Sequence, residues 1–433
     1  MVYDDFMTIA VIGTGFVGVV TAAAFAKFGH TVYGLDIDEV KIKKLEKAEL
    51  PFFEPGLEEL VKSGIASGQL KFTTSYATAI SSAEVIFISV GTPSAPDGQA
   101  DIKYVLAAAQ SLAPHLKSGA IVVVKSTVPP STNSKVEAVI RQHTKKDFYV
   151  ASVPEFLKEG TAVFDFLNPN RIVIGTTNAQ VAKVLTELHQ PLGAEVVVVR
   201  PESAQMAKYA ANAYLAQRIT FINQMANLCE KNGADVQEVV QAIGFDERIG
   251  GHYWYPGLGY GGSCFPKDVK ELAAYSRAIG EGDGLFIKID ELNEARIPKL
   301  IHKWDDQIRF AGKTVAILGL SFKPNTSDVR EAPARKVIPI LQEKGAKIRA
   351  YDPQATEESK PLYQDVDWAR SVLDAAKLAD VLLLLIEWDE FKGLDFNKLK
   401  SVMKGHVFID TRNQYEPEEV AKHGFKYIQD KAV

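Results

Sequence analysis

The sequence predicts an α/β fold in which a helical middle domain with a long central helix joins two doubly wound, mainly parallel sheets. Apolar strands alternate with helical patterns over the first 200 of 433 residues. Helically spaced apolar residues, uninterrupted by glycine or proline, run from residue 202 to 232, and the alternation returns after residue 312. Alternating strands and helices are typical of doubly wound parallel sheets. We therefore expect domains at residues 1–200, 201–311 and 312–433.

Individual strands are predicted from short apolar runs. In the first domain they are residues 8–12, 31–35, 85–90, 121–125, 149–152, 172–175 and 196–199, and in the last domain residues 314–318, 347–351, 381–386 and 407–409. A small-residue helix follows the first strand and should stop at Gly29. Pro201 suits the first turn of the central helix. About 30 residues at 1.5 Å each make a rod of roughly 45 Å, long enough to connect two domains.

The composition is that of a globular protein with a substantial core, with 46% hydrophobic and 24% charged residues. A net charge of −5 argues against general nucleic-acid binding. The start of the chain, residues 1–5, is acidic where a secretory signal is basic, and the apolar runs are too short to span a bilayer. Two cysteines imply no disulfide framework, so we expect a cytoplasmic protein. The eight histidines show no metal-ligand spacing, so no metal is expected.

A Gly-x-Gly-x-x-Gly motif, formed by Gly13, Gly15 and Gly18, joins the first predicted strand to its helix. These glycines permit the tight turn, the approach of a pyrophosphate and close helix–strand packing, and the helix N-terminus attracts phosphates. Asp36 ends the next strand, where it would bind a ribose diol and repel a 2′-phosphate. The motif therefore predicts a Rossmann-type domain that binds NAD. FAD and an ordinary glycine-rich turn are the alternatives.

The last α/β segment lacks this motif. We therefore expect a second Rossmann-type domain that binds a different ligand or shares the site. The pattern by itself does not choose between these two possibilities.

A glycine-rich loop at residues 257–268 contains one of the two cysteines. Its four glycines allow positive φ angles or close approach to a ligand, and few packing reasons would require so many. Pro266 predicts that a helix begins there, which places Cys264 beside a helix N-terminus. The helix dipole and Lys267 would favour the thiolate, and Asp268 adds a carboxylate within one turn. The loop therefore predicts a reactive thiol.

The alternative for any free cysteine is that it fills buried space. Cys229 suits that interpretation because it lies among apolar residues in the middle of the predicted central helix. Cys264 suits it less well, given its neighbours.

Nine segments in order extend these motifs across the chain: GTGFVG, VGTPSAPDGQADIKYV, KSTVPP, VPEFLKEGTA, KYAANAYLAQRITFINQMA, ERIG, GLGYGGSCFPKDVKEL, LGLSFKPNTSDVRE and IDTRN. Through them the chain resembles the UDP-glucose/GDP-mannose dehydrogenase family over nearly its whole length. The resemblance implies an enzyme that uses NAD to oxidise C6 of a nucleotide-sugar twice, to the carboxylate. UDP-glucose is the expected substrate.

The resemblance assigns the central chemistry to three residues. Cys264 would capture the intermediate aldehyde as a thiohemiacetal, which a second hydride transfer converts to a thioester. Lys208 and Asn212 would stabilise the developing oxyanion. They are four residues apart on the predicted helix and therefore lie on one face of it.

Further residues are implied to handle water and protons. Thr127 and Asp268 would position or activate water, and Glu155 would be the acid–base for thioester hydrolysis. Glu159 is expected one helical turn beyond Glu155. Taken singly, each of these residues would more often be a loop hydroxyl or a surface charge.

The resemblance also implies two sets of ligand contacts and an oligomer. The cofactor contacts are Gly13, Gly15, Val17, Gly18, Asp36, Lys41, Thr92, Thr127, Lys267 and Arg330. The substrate contacts are Glu155, Phe156, Leu157, Lys158, Glu159, Lys208, Asn212, Arg248, Tyr253, Gly261, Lys323 and Arg412. Arg248 is expected to reach the substrate of a neighbouring subunit, which implies a homodimer.

Several alternatives stay open. GDP-mannose and then an N-acetylated UDP-sugar are the alternative substrates, since residues 253–256 depart from the commonest family pattern. A simple two-electron dehydrogenase of the hydroxyacid type shares the fold and needs no thiol. A non-catalytic nucleotide-sugar sensor would need neither the thiol nor the carboxylates.

Overall fold

The computed structural model describes residues 6–429, so the acidic segment at residues 1–5 lies outside the described residues. The chain divides into two compact units, Met1–Ala211 and Asn212–Val433. Each unit contains one sheet. The predicted fold class is confirmed, and the predicted three-domain division stays a prediction.

The first unit is built on an eight-stranded sheet with the order β3-β2-β1-β4-β5-β6-β7-β8. All pairs are parallel except β6 with β7. The strands are β1 Thr8–Ile12, β2 Thr31–Leu35, β3 Leu70–Thr73, β4 Val85–Ile88, β5 Ala120–Val124, β6 Phe148–Ser152, β7 Ile172–Gly175 and β8 Val196–Val199. Alternate residues of the central strands enter two separate apolar cores, one on each face of the sheet.

Helices connect these strands and cover the two faces. They are α1 Phe16–Lys27, α2 Glu39–Leu45, α3 Leu57–Ala66, α4 Tyr76–Ile80, α5 Lys103–Leu112, α6 Thr132–His143, α7 Ala162–Leu167 and α8 Ala179–His189. Helix α1 ends where predicted, because Gly29 adopts a φ of +94° that favours glycine. Side-chain caps begin α2 at Asp38 and α8 at Asn178.

The predicted central helix is α9, Pro201–Asn232, a run of 32 residues. Proline occupies its first position, where the missing N–H costs nothing. Gly233 follows its end with a φ of +81°. Within residues 6–429, no helix is long and apolar enough to cross a bilayer.

The second unit is built on a six-stranded, fully parallel sheet of order β11-β10-β9-β12-β13-β14. Some of its helices precede the first strand of this sheet, and the others connect its strands. The helices are α10 Val236–Gly244, α11 Phe265–Ala278, α12 Gly284–Glu294 and α13 Arg296–Ile308, followed by α14 Ala334–Glu343, α15 Thr356–Ser359, α16 Val372–Ala376, α17 Phe396–Val402 and α18 Pro417–Lys422. The strands are β9 Thr314–Leu318, β10 Lys347–Tyr351, β11 Val366–Trp368, β12 Val381–Leu384, β13 Val407–Asp410 and β14 Lys426–Gln429.

Most predicted strands are present with small shifts, and some predicted ends were wrong. Strands predicted at 85–90 and 381–386 end two residues earlier, at Ile88 and Leu384. Their chains leave the ladder there and run into loops, although Leu385 and Ile386 stay buried. Three strands, β3, β11 and β14, were not predicted.

Candidate active site

The turn between β1 and α1 has the geometry that the glycine motif predicts. Gly13 has a φ of +94°, and a Cβ there would lie 2.7 Å from the Ser89 carbonyl oxygen. A Cβ at Gly18 would collide with the Gly13 carbonyl oxygen. A Cβ at Gly15 would meet no atom within 4 Å, so this position faces open space. The three glycines thus serve two purposes: Gly13 and Gly18 permit the packing, and Gly15 leaves room for a ligand.

The N-terminus of α1 is open to an anion. Gly15 is its N-cap and provides no side-chain hydrogen bond, and the first turn contains no acidic residue. The amides of this turn, including those of Phe16 and Val17, belong to the helix end whose dipole favours negative charge. A dinucleotide pyrophosphate has the charge and the donor requirements that this turn satisfies.

Asp36 directly follows β2 and keeps part of its carboxylate available. Its Oδ2 accepts hydrogen bonds from the Thr14 amide and hydroxyl at 2.9 and 2.8 Å and from Lys41 Nζ at 3.0 Å. Its Oδ1 accepts only the Asp38 amide at 3.2 Å among the described residues. Burial raises the pKa of Asp36, but these hydrogen bonds outweigh burial and hold it below its ordinary value. The ionised Oδ1 is suited to accept from a ribose diol.

Two loops at the carboxyl edge of the first sheet are tied together. Thr92, after β4, donates its hydroxyl to the Thr127 carbonyl at 2.9 Å, and Ser126 donates to the Val90 carbonyl at 2.6 Å. These bonds bring two predicted site residues, Thr92 and Thr127, into contact. The hydroxyl of Thr92 is therefore committed to the loop.

A buried ion pair joins two predicted catalytic residues in the first unit. Glu155 Oε1 lies 2.9 Å from Lys208 Nζ, and both side chains are less than 10% exposed. Glu155 Oε2 also accepts the Leu157 amide. Burial raises the pKa of Glu155, but Lys208 and the amide bond outweigh burial and lower it. Glu155 is therefore a carboxylate at neutral pH and can accept a proton.

The segment after β6 is a loop, so the prediction that Glu159 lies one helical turn beyond Glu155 was wrong. Pro154 disfavours helical geometry in the residue before it. The carboxylate of Glu155 takes the Leu157 amide and so competes with helical hydrogen bonds. Glu159 is itself buried.

The same loop contains Phe156 and Lys158. The Phe156 ring lies 3.6 Å from the Arg171 guanidinium and 5.4 Å from Lys208 Nζ, both measured to the ring centre. Lys158 is bound to Asp165 through its amide at 3.0 Å and through its ammonium at 3.5 Å. These contacts fix the loop within the first unit.

In the second unit, Cys264 is the N-cap residue of α11, as predicted from Pro266. The Asp268 amide donates to the Cys264 carbonyl at 2.8 Å and closes the first turn. The Cys264 side chain is partly exposed, whereas Cys229 is buried, and neither forms a disulfide bond. The geometry that favours a reactive thiol is therefore found at Cys264 and not at Cys229.

A buried polar network supports the first turn of α11. Asp268 is 1% exposed and accepts hydrogen bonds from Asn212 Nδ2 at 2.5 Å and from Lys267 Nζ at 2.6 Å. Lys267 also reaches Glu271 at 3.2 Å. Burial lowers the pKa of Lys267, but Asp268 and Glu271 outweigh burial and raise it. The ammonium is therefore permanently charged and is shared with these two carboxylates.

In the glycine-rich loop at residues 257–268, packing or backbone geometry requires glycine at each of the four glycine positions. The expectation that packing gives few reasons for so many glycines was therefore wrong. A Cβ at Gly257 would lie 2.8 Å from the Thr411 carbonyl oxygen, and one at Gly261 would collide with the Glu331 carbonyl oxygen. Gly259 and Gly262 have positive φ angles and face Asn293 and Phe322, respectively. The number of glycines therefore reflects close packing of this loop and is not independent support for a ligand.

Buried side chains of α9, α12 and α13 form hydrogen bonds to the backbone of this loop. Asn293 accepts the Tyr260 amide at 2.9 Å, Asn223 accepts the Gly257 amide at 2.9 Å, and Arg296 donates to the Gly257 carbonyl at 2.9 Å. These three residues were not predicted as part of the site. The only sequence signal for them is a polar residue at a helix position where the apolar spacing predicts a buried face.

Three predicted arginines are paired within their own chain. Arg248 pairs with Asp246 at 2.6 Å and Arg330 with Asp328 at 2.6 Å, and both arginines are exposed. The third, Arg412, pairs with Glu387 at 2.6 Å. Of the other predicted contacts, Tyr253 has a φ of +63° and Lys323 lies over the Phe322 ring. The predicted ligand roles of these residues stay predictions.

Comparison with known proteins identifies three successive matched segments of the chain. Residues 7–193 match the NAD binding domain of the UDP-glucose/GDP-mannose dehydrogenase family, residues 202–295 its central domain and residues 316–417 its UDP binding domain. The chain belongs to this family. It is an NAD-dependent oxidoreductase, and the predicted cofactor is confirmed by the matched domain.

Similar proteins share the whole length of this dehydrogenase. It is 45% identical to the UDP-glucose 6-dehydrogenase of Rhizobium meliloti (strain 1021), covering 97% of this chain and 98% of the relative. The structure of a UDP-glucose dehydrogenase from the archaeon Pyrobaculum islandicum superposes with a TM-score of 0.93 at 34% identity, covering 100% and 99% of the two chains. A UDP-D-ManNAc dehydrogenase structure from Pyrococcus horikoshii gives 0.85 at 28% identity, covering 97% and 98%.

The dehydrogenase also contains positioning residues that sequence reasoning missed. Glu54, 4% exposed, accepts the amides of Gly160 and Ala162 at 2.6 and 2.7 Å and so holds the end of the Glu155 loop. Lys125 follows β5 directly and is also 4% exposed. Its signal was present, because a charge that immediately follows five buried apolar residues is unusual.

Proposed function

We propose that this dehydrogenase oxidises the C6 hydroxymethyl group of UDP-glucose twice and releases UDP-glucuronate. Cys264 carries the proposal, because it is a partly exposed thiol at a helix N-terminus. A simple alcohol dehydrogenase has no use for such a thiol. The 45% identity to a UDP-glucose 6-dehydrogenase supports the choice of substrate.

The proposed reaction keeps the intermediate aldehyde on the protein. Two NAD molecules, bound one after the other, would each accept one hydride, so that each oxidation yields one NADH. The first oxidation removes a hydride from C6 and a proton from its hydroxyl. The Cys264 thiolate then adds to the aldehyde carbon, forming a C–S bond while the carbonyl oxygen gains a proton. Loss of a second hydride and of that proton leaves a thioester.

Hydrolysis ends the cycle. Water adds to the thioester carbon, the C–S bond breaks, and the carboxylate leaves while Cys264 returns as a thiol. Glu155 is the proposed proton acceptor, since its lowered pKa keeps it ionised beside Lys208. Asn212 and Asp268 form the second polar pair, at 2.5 Å, on the unit that carries the thiol. Lys208 and Asn212 are proposed to hold the oxygen atoms that become negative, and Thr127 and Asp268 to position or activate the water.

The deciding experiment counts NADH formed from limiting UDP-glucose in excess NAD. The proposal expects two NADH for each UDP-glucose. Cys264→Ala should lower the rate by about 10³-fold or more, as loss of a nucleophile usually does, while Cys229→Ala keeps the stoichiometry. One NADH from the wild type, or full activity in Cys264→Ala, would contradict the thioester route and favour a simple two-electron dehydrogenase.

The same assay tests the alternative substrates. The similarity to a UDP-D-ManNAc dehydrogenase, at 28% identity, makes an N-acetylated UDP-sugar the first comparison and GDP-mannose the second. We expect kcat/KM for UDP-glucose to exceed both by at least about 100-fold, a difference of roughly 3 kcal/mol in transition-state binding. Binding of nucleotide-sugars without NADH would instead indicate a sensor.

We further propose a homodimer in a reducing, cytoplasmic compartment. Tyr214, Phe221 and Leu228 recur every seven residues on α9, and each is at least half exposed. Such an apolar stripe is suited to a second copy of the helix. Arg248 is exposed, with its guanidinium on Asp246. The lack of a disulfide bond between Cys229 and Cys264 supports the compartment.

Mixing two inactive variants tests whether Arg248 acts across the dimer. If Cys264→Ala and Arg248→Ala subunits exchange, one heterodimer site contains both native residues. Activity should then return to about a quarter of the wild type in an equal mixture, since half of the dimers are mixed. No recovery after proven exchange would place Arg248 in its own subunit's site or in none.

A further inference from the structure

A pocket of about 110 Å³ lies wholly within the first unit, at the carboxyl ends of β5 and β6 and the amino end of the antiparallel strand β7. Five of the sixteen residues that line it are charged. They are Lys125, Glu155, Lys158, Asp165 and Arg171, with His189 beside them. This pocket goes beyond the proposed reaction, which gives no role to Lys125 or Arg171.

Two of its cations form no ion pair within the described residues, although Glu155 lies near enough to Lys125 to raise its pKa. Among residues 6–429, neither Lys125 nor Arg171 takes part in an ion pair or a side-chain hydrogen bond. Lys125 Nζ lies 5.8 Å from the ring centres of Phe87 and Phe166, near the outer limit of cation–π attraction. The Arg171 guanidinium stacks on Phe156 at 3.6 Å. A buried cation without an ion-pair partner costs free energy, so a bound anion would stabilise this arrangement.

The carboxylates of the pocket are already engaged. Glu155 binds Lys208 at 2.9 Å and the Leu157 amide. Asp165 accepts the Lys158 amide and the Thr161 hydroxyl, both at 3.0 Å. These bonds leave Lys125 and Arg171 as the groups that can attract a ligand.

His189 adds no charge. Its Nδ1 lies 2.7 Å from the Leu185 carbonyl, and burial lowers its pKa to about 4, so the ring is neutral at pH 7. Lys125, Lys158 and Arg171 therefore face only two carboxylates, Glu155 and Asp165. The lining has one uncompensated positive charge.

We propose that this pocket is an anion site in which Lys125 and Arg171 hold one small oxyanion of the phosphate type. Its volume suits that class, because one water occupies about 30 Å³ in the liquid and the pocket thus has room for a few heavy atoms. A planar guanidinium and a point ammonium together match the several oxygens of such an ion.

The site should follow the protonation of Lys125. Burial lowers its pKa to about 8, Glu155 opposes this, and Lys208 adds to it. An anion is held only while the ammonium is charged, so affinity should fall as the pH rises through about 8 and above. The other charged groups that line the pocket with Lys125 are Glu155, Lys158, Asp165 and Arg171, and His189 stays neutral.

Calorimetric titration with inorganic phosphate, at constant ionic strength and without nucleotides, tests the proposal. We expect one phosphate per chain and at least tenfold weaker binding in both Lys125→Met and Arg171→Met. Lys183→Met, which changes an exposed lysine of α8 paired with Glu187, should bind like the wild type. If Lys125→Met fails to fold by circular dichroism, Arg171→Met decides alone, since Arg171 is only half-buried.

Two results would overturn the proposal. Equal binding by all variants would mean that phosphate associates only adventitiously. Displacement of phosphate by saturating UDP-glucose or NAD would assign the binding to a nucleotide site. Because the readout is phosphate binding and not NADH formation, neither result bears on the proposed reaction.

Discussion

The two parallel sheets of this dehydrogenase begin alike and then diverge. Both place a glycine with positive φ after the first strand, Gly13 at +94° and Gly319 at +98°. Both place an aspartate directly after the second strand, Asp36 and Asp352. The order of the first six strands in one sheet equals the order of all six in the other. The sheet topology alone therefore does not show which of the two sheets binds a dinucleotide.

The difference lies in the length of chain between that glycine and the next helix. In the first sheet only residues 13–15 separate β1 from α1, so the helix N-terminus stands at the strand end. In the second sheet residues 319–333 separate β9 from α14. The dipole and free amides that attract a pyrophosphate are thus adjacent to the strand in the first sheet alone.

The two aspartates diverge in the same way. Asp36 leaves Oδ1 with one long hydrogen bond, from the Asp38 amide. The carboxylate of Asp352 is 2% exposed and accepts six hydrogen bonds. The donors are the amides of Leu320, Ser321, Gln354 and Ala355, the Ser321 hydroxyl and the Trp388 indole. The position that is proposed to bind ribose in the first sheet is therefore a structural residue in the second.

Replacing Asp352 should have the largest effect on stability. Asp352→Ala leaves several buried donors without an acceptor, so we expect the free energy of unfolding to fall by about 4 kcal/mol or more. All four tryptophans, at positions 254, 304, 368 and 388, lie in the second unit. Tryptophan fluorescence during urea unfolding therefore reports on this unit.

The control for Asp352 is Asp367→Ala in the same sheet, which changes an exposed carboxylate. Its cost should stay within about 1 kcal/mol, as for most surface ion pairs. Equal losses in the two variants would show that the six hydrogen bonds are not what sets Asp352 apart.

Filling the space at Gly15 should abolish most NAD affinity without affecting the fold. No atom lies within 4 Å of a Cβ at this position, so Gly15→Val has room unless a pyrophosphate occupies it. We expect the KM for NAD to rise by about 100-fold, or roughly 3 kcal/mol, with the melting temperature nearly unchanged. Gly393→Val, at an equally open glycine of the second unit, is the control and should leave the KM unchanged. An unchanged KM in Gly15→Val would place the pyrophosphate elsewhere.

Removing the Asp36 carboxylate should have a smaller effect on the cofactor. Asp36→Ala loses the ribose acceptor, so the KM for NAD should rise about tenfold, the equivalent of one charge-assisted hydrogen bond. Discrimination against NADP should weaken as well, because the charge that repels a 2′-phosphate is gone. Asp147→Ala, at an exposed aspartate of the first unit, should change neither value. A variant that still excludes NADP would show that other groups set this preference.

The predicted fold was right where strands are buried and incomplete at the sheet edges. The three unpredicted strands, β3, β11 and β14, are all edge strands. They have three or four residues, each includes an exposed position and none is buried throughout, so they lack the continuous apolar run that marks a central strand. Central strands such as β1 and β12 were found because both faces of the sheet are covered.

The candidate site was predicted through residue types whose chemistry is local. The turn at Gly13 and the cap at Cys264 depend on neighbours in sequence, and both have the expected geometry. The partnership of Glu155 with Lys208 depends on residues 53 positions apart, which no spacing rule predicts. Lys125 had a local signal, a charge directly after a buried apolar strand, but only packing shows that no carboxylate forms an ion pair with it.

The smallest expected effect is an acid dependence at Asp36. Its pKa lies below the ordinary value of 3.8 because hydrogen bonds outweigh burial. A carboxylate of lowered pKa stabilises the fold fully above its unfolded-state value, and this contribution is lost as the pH falls through the folded-state value. Asp36→Asn does not titrate. The stability difference between wild type and this variant, on the order of 1 kcal/mol at pH 7, should therefore shrink below pH 4.

Hydrogen exchange of peptides covering residues 31–45 can follow this difference, because these residues contain β2 and α2. At each pH the wild type is compared with Asp36→Asn, so intrinsic exchange rates cancel. Asp147→Asn should show no difference at any pH. A difference that stays constant as the pH falls below 4 would mean that Asp36 stabilises the turn through its shape and not through its charge. The only remaining contrast between Asp36 and Asp352 would then be that Asp36 is available to bind a ligand.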